Sequence, residues 1–186
     1  VGHSLGATVG MHLAKVSRPG RVATVVSIGG FAGGRDGSAL PGLASLATVV
    51  DLERLAADFS REIPDGPLPI PFPSMLDVNE HSPTGQVLFS GGSPFHPGTR
   101  YTLIASALDG LVPPAMSFPK GDHPGVSTHV LQDTCGQNGA DHVSLFADPQ
   151  TLDLVLNALD PDNAQSPRCW PTLPMIGALG EVPQRR

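Results

Sequence analysis

Apolar positions along the chain fall into a few kinds of stretch, and each predicts a different element. The run Val22-Ala23-Thr24-Val25-Val26-Ser27-Ile28 is too apolar for a half-exposed strand and predicts a parallel strand covered on both faces. Arg100 to Ser106 and Ser127 to Gln132, each followed by polar loop residues, predict two further strands. Helical spacing appears between Leu5 and Val16, where Val9, Leu13 and Val16 share one face, Gly6 and Gly10 allow close approach to a sheet, and Pro19-Gly20 stops the helix. It returns at Leu152, Val155, Leu156 and Leu159, in a helix that Asp148-Pro149 caps and Asp160-Pro161 ends. This alternation of strand and helix predicts an α/β fold with a mostly parallel sheet.

Between residues 30 and 97 the strand pattern lapses. Leu43, Leu46, Ala47, Val50 and Leu55 keep helical spacing, Pro64 to Pro73 predicts a stiff extended segment, and Ser82-Pro83 reads as an N-cap and first helical position ahead of Val87, Leu88 and Phe89. An insertion of this length predicts a cap or lid, and its Leu40, Leu43, Leu46, Val49, Val50, Ile70 and Phe72 suit a hydrophobic acyl pocket or a lipid-interface contact. Residues 163–186 carry no period and predict an irregular tail. The expected organisation is one domain over 1–162, with the cap at 30–97, followed by that tail.

Composition narrows the class. The chain of 186 residues is 40% hydrophobic and 15% charged, enough for one core and too sparsely charged for a disordered tail. Its 22 Gly and 20 Pro exceed ordinary usage and favour long structured loops, where sites are built. A net charge of −6 without any Lys/Arg run argues against a nucleic-acid partner, and no apolar stretch approaches the ~20 residues of a membrane span. Cys135 and Cys169 lack CxxC spacing, which argues against a zinc site and leaves either a disulfide or two unpaired buried thiols.

The chemistry begins at the front of the chain. Gly2-His3-Ser4-Leu5-Gly6 fits G-x-S-x-G, which puts a nucleophilic serine on a sharp strand-to-helix turn, with the Leu5 N–H at the helix start as an oxyanion donor. Gly2 and Gly6 are expected to remove collisions where strand and helix pass closely. Only Val1 precedes this turn, so the pattern predicts the C-terminal part of a longer enzyme. That reading leaves Val22 to Ile28 without one strand neighbour and the isolated 1–186 with little ester hydrolysis, the second oxyanion donor lying upstream.

Such a serine needs a histidine base and an acid to orient it, in the order Ser, Asp or Glu, His. Asp109, in the loop after Ser106, and His142, after the last strand, supply that order. Asp133 and the adjacent Asp141 are rival acids. His3, His12, His81, His96, His123 and His129 compete for the base, and each reads more simply as structural or exposed.

GHSLGA at the front, YTLIASALDGLVPP around Asp109, LQDTCGQNGADHVSLFADP around Cys135 and His142, and the late Cys169 together resemble the secreted bacterial class 2 triacylglycerol lipase family over roughly residues 1 to 170. The resemblance implies an α/β-hydrolase fold, here starting at the nucleophile elbow, with Ser4, Asp109 and His142 as the triad. It also implies a Cys135–Cys169 bridge, export by a signal peptide, a lipid or acyl-ester substrate, and neither metal nor organic cofactor. Acyl transfer or perhydrolysis would use the same triad, and an inactive binding module on a hydrolase scaffold is the non-enzyme alternative.

Overall fold

The two central strands are the most apolar, TVVSI and RYTLIA, and they lie between the shorter or more polar GH and VSTHV. In the computed structural model, which describes residues 1–33 and 82–184, strand β1 (Gly2–His3), β2 (Thr24–Ile28), β3 (Arg100–Ala105) and β4 (Val126–Val130) make one all-parallel sheet in the order β1-β2-β3-β4. The fold is therefore α/β. Val25 pairs with Tyr101 and Ser27 with Leu103, so alternate residues point to opposite faces. Val25, Tyr101 and Leu103 pack with Met11, Ala14, Leu88 and Phe95 on one side, while Val26, Ile28 and Ile104 pack with Leu131, Ala140, Leu145 and Leu154 on the other. Burial on both faces explains why β2 and β3 read as continuous apolar runs.

Gly2 pairs with Ser27 and His3 with Ile28, so the expected open edge of β2 is covered over its last two residues. The predicted cap is described only at its ends. The helical spacing at 43–55, the Pro64 to Pro73 segment and His81 lie outside the described residues. Where description resumes, Ser82 caps helix α2 (Pro83–Leu88) by accepting from the Gly85 N–H at 2.9 Å, as its sequence predicts. The far end of α2 is held by Lys15, whose Nζ donates to the carbonyls of Leu88, Ser90 and Ser93 at 2.6, 2.7 and 2.5 Å.

Two helix faces differ from expectation. Helix α1 (Leu5–His12), which runs on into a π-helical turn over Leu13–Ser17, buries Ala7, Thr8, Met11 and Ala14 and leaves Val9 61% and Leu13 44% exposed. The buried stripe places Ala7, Thr8 and Ala14 around the single long side chain of Met11, which fills the core beneath the helix. A Cβ on Gly30 would lie 2.3 Å from the Ala7 Cβ, and one on Gly10 would touch Val25 at 3.6 Å.

Following the short helices α3 (Pro114–Ser117) and α4 (Leu131–Thr134), helix α5 (Pro149–Leu159) starts and stops where predicted, with Asp148 accepting from the Thr151 N–H at 2.8 Å. It buries Gln150, Thr151, Asp153 and Leu154, while Leu152, Leu156 and Leu159 face out. A polar network claims the inner face. Asn138 donates to Asp148 and Gln150 at 2.9 and 3.0 Å, Gln150 donates to the Leu131 carbonyl, and Thr172 donates to Asp148 at 2.6 Å.

The tail is more ordered than its sequence suggests. Cys135 and Cys169 are bridged, Arg168 forms a two-pronged ion pair with the buried Asp153, and β5 (Thr172–Leu173) pairs antiparallel with β6 (Gly177–Ala178). Among the described residues no helix is long and apolar enough to cross a membrane.

Candidate active site

Ser4 sits between β1 and α1 with φ 54° and ψ −125°, a left-handed backbone that non-glycine residues rarely adopt. Its N–H is held by the Ile28 carbonyl at 2.9 Å. The crossing of strand and helix is tight on one side only. A Cβ on Gly2 would lie 2.3 Å from the Gly6 carbonyl oxygen, whereas a Cβ on Gly6 would meet nothing within 4 Å. The expected collision therefore exists at Gly2 and not at Gly6, because Gly6 is on the solvent side of the first turn of α1. Leu5 opens α1, so its N–H has no acceptor one turn back within the helix.

The structure brings Ser4, His142 and Asp109 together. His142 Nε2 is 2.9 Å from Ser4 Oγ, and His142 Nδ1 is 2.7 Å from Asp109 Oδ2. Asp109 is 3% and His142 8% exposed, so the bond between them is shielded from water, while the bond from His142 to Ser4 is only partly buried. The other carboxylate oxygen of Asp109 accepts from the Leu111 and Val112 N–H groups at 2.9 and 2.7 Å. This turn fixes the carboxylate, and Val112 packs with Phe31, Leu5, Leu111 and Met116 beside it.

The rival acids take other places. Asp133 is exposed in the first turn of α4 and opens on a 550 Å³ cavity that it shares with His129 and Asn157. Asp141 turns away from the imidazole. Its Oδ1 accepts from the Ser144 N–H and hydroxyl and from the Met175 N–H. Burial pushes its carboxyl upward, yet these hydrogen bonds together hold it below the ordinary carboxylate value. Asp141 thus caps the turn that presents His142 and ties it to the β5–β6 hairpin.

The other described histidines lie elsewhere, His3 excepted. His12 reaches Ser17 at 3.3 Å, the main-chain N–H of His96 donates to the Tyr101 hydroxyl, and the His123 ring meets Phe95 edge-on. His129, on β4, is lowered from its ordinary value by burial. The cavities of 430 and 550 Å³ along β4 are lined by none of the three converging residues.

Sequence reasoning missed the residues that hold the three together. Gly29, with φ 55°, follows β2, and a Cβ there would come within 3.2 Å of Asp109 Oδ2 and 3.4 Å of His142 Nδ1. Gly30 faces Ala7 and Ser27. The Gly29-Gly30 pair directly after a buried strand was the available signal. Gln132 bridges the two loops by donating to Ser106 Oγ and to the Asn138 carbonyl while accepting from the Ala107 N–H, and Ser106 donates to the Ala140 carbonyl at 2.5 Å. Nothing in the local pattern marks Gln132.

No protein-family model and no curated protein matches this chain. A hydroxyl within hydrogen-bond reach of an imidazole, itself held by a buried carboxylate, can lose its proton as it attacks an electrophilic carbon, because the resulting imidazolium is stabilised by the carboxylate.

Proposed function

We propose that the chain carries the catalytic residues of a serine carboxylic-ester hydrolase, built on an α/β-hydrolase fold and related to the secreted class 2 triacylglycerol lipases. The single observation that carries this reading is the continuous relay from Ser4 Oγ through both nitrogens of His142 to Asp109, at 2.9 and 2.7 Å.

In this reading Ser4 Oγ forms a bond to the ester carbonyl carbon while its proton passes to His142 Nε2. The Leu5 N–H, at the positive end of α1, contributes to holding the oxyanion. The C–O bond to the alcohol then breaks and the alcohol leaves with the proton from His142. Water, deprotonated by the same nitrogen, attacks the acyl-serine and releases the acid. Neither metal nor organic cofactor enters this chemistry.

Hydrophobic esters suit the surroundings, since Leu108, Val143 and Phe146, which flank Asp109 and His142, are exposed apolar side chains. The Cys135–Cys169 bridge supports export, because disulfides persist in oxidising compartments.

Labelling with a fluorophosphonate followed by peptide mass spectrometry tests the reading. The adduct is expected on Ser4, with Ser4→Ala and His142→Ala abolishing both labelling and turnover of a p-nitrophenyl ester. Asp109→Asn should lower kcat by about 10⁴, by analogy with the serine-protease triad, and Asp133→Asn should leave it unchanged. An adduct on another residue, or full activity in Ser4→Ala, would refute the proposal; a collapse in Asp133→Asn with Asp109→Asn intact would move the acid role.

A further inference from the structure

His3 belongs to the nucleophile segment, yet its side chain is spent on the base. Its Nε2 donates to the main-chain carbonyl of His142 at 2.8 Å, a bond that spans 139 positions of sequence. The two imidazole rings lie 4.8 Å apart between centroids, tilted by 41°, and Phe146 backs the His3 ring at 5.3 Å. Ser4 is the next residue in the chain. The strand that aims the nucleophile and the loop that carries the base are thus joined directly, from the residue before Ser4 to the main chain of His142 itself.

We infer that His3 is a positioning residue for the Ser4–His142 pair: as a neutral imidazole it braces the His142 main chain and ring, so that His142 Nε2 stays aimed at Ser4 Oγ without a second cation beside it. This rests on the hydrolase reading for its effect on turnover, while the brace itself does not.

The hydrogen bond requires the proton on His3 Nε2, leaving Nδ1 bare in the neutral form. Neutrality matters because His142 becomes an imidazolium in each half-reaction, and a like charge at this range would oppose it. Burial is the largest influence on His3 and holds its pKa below the ordinary value. The groups facing it are His142, whose carbonyl bond raises and whose ring charge lowers that value, and Asp109, which raises it.

Three replacements in the protein at its full native length separate bracing from packing. His3→Leu removes the donor, His3→Gln restores a donor that does not titrate, and His3→Lys offers a donor whose ordinary form at neutral pH is charged. His3→Leu is expected to lower kcat on the order of 10- to 100-fold with KM little changed, the size of a roughly 1 Å misplacement, and His3→Gln to recover most of it. His3→Lys, by placing a like charge beside the base, should move the His142 imidazole resonances, followed by NMR across pH, to lower pH relative to His3→Gln. Identical His142 titrations in the Lys and Gln variants, or equal kcat in Leu and Gln, would overturn the inference. The NMR arm needs no turnover and no Leu variant, so it decides even if His3→Leu fails to fold. Activity persisting in Ser4→Ala would remove the hydrolase reading and leave the brace standing.

Discussion

Gly2→Ala and Gly6→Ala look equivalent in a G-x-S-x-G motif, and the structure makes them opposites. At position 2 the added methyl would sit 2.3 Å from the Gly6 oxygen, 2.4 Å from its carbonyl carbon and 2.5 Å from the Ala7 nitrogen. Carbon contacts are comfortable near ~3.5 Å, so β1 and the first turn of α1 must part by about 1 Å, and all three obstacles are backbone. Overpacking of this kind costs about 1–3 kcal/mol, and an immovable neighbour puts Gly2→Ala at the upper end. For a domain of this size that is a fall in Tm of about 6–12 °C. The same displacement acts on Ser4, two residues on, and should slow its acylation by about 100-fold.

At position 6 the methyl enters open space on an exposed helical residue, where Ala is favoured over Gly by about 0.5 kcal/mol. Gly6→Ala should therefore match or slightly exceed the parent Tm. Thermal unfolding by circular dichroism and the rate of fluorophosphonate labelling measure both effects on the same samples. Equal damage from the two substitutions, or equal tolerance of them, would show that the crossing of β1 and α1 is not as described.

The Cys135–Cys169 bridge closes a separation of 34 residues, for which chain entropy gives about 3–4 kcal/mol, so reduction should lower the urea midpoint sharply. Thiol titration of denatured, unreduced protein should find no free thiol, and two per chain would sink both expectations. His3 and His129 are both lowered by burial, so below about pH 6.5 the unfolded chain takes up protons that the folded chain refuses. Stability should therefore fall as pH drops from 6.5 until the folded-state values are reached. Asp141, lowered in the fold, adds its own loss only further down, as pH falls through its folded value. Urea midpoints at pH 7.5 and 5.0 measure this, and an unchanged midpoint, or an equal fall in a His3→Gln, His129→Gln double variant, would contradict it.

By itself the sequence determined what depends on local pattern. The continuous apolar run marked β2 as a strand covered on both faces, Arg100 to Ser106 marked a further strand at β3, Ser82-Pro83 and Asp148-Pro149 marked where helices start, and Ser4, Asp109 and His142 stood out because each follows or ends a strand in a recognisable loop. The choice among Asp109, Asp133 and Asp141 was open in sequence. In space only Asp109 of the three touches the imidazole, because the Leu111 and Val112 N–H groups hold its other carboxylate oxygen.

Two helix faces were misjudged for one reason. Periodicity ranks residues by hydropathy, while burial in α1 was decided by how closely Ala7 and Gly10 let the helix approach its neighbours around Met11, and in α5 by a polar network joining Asn138, Asp148, Gln150 and Thr172. Hydrogen bonds between residues far apart in sequence leave no period. The same holds for the links that make the site rigid, Gln132 between two loops and His3 on the His142 carbonyl, which exist only once the sheet has brought both ends of the chain together.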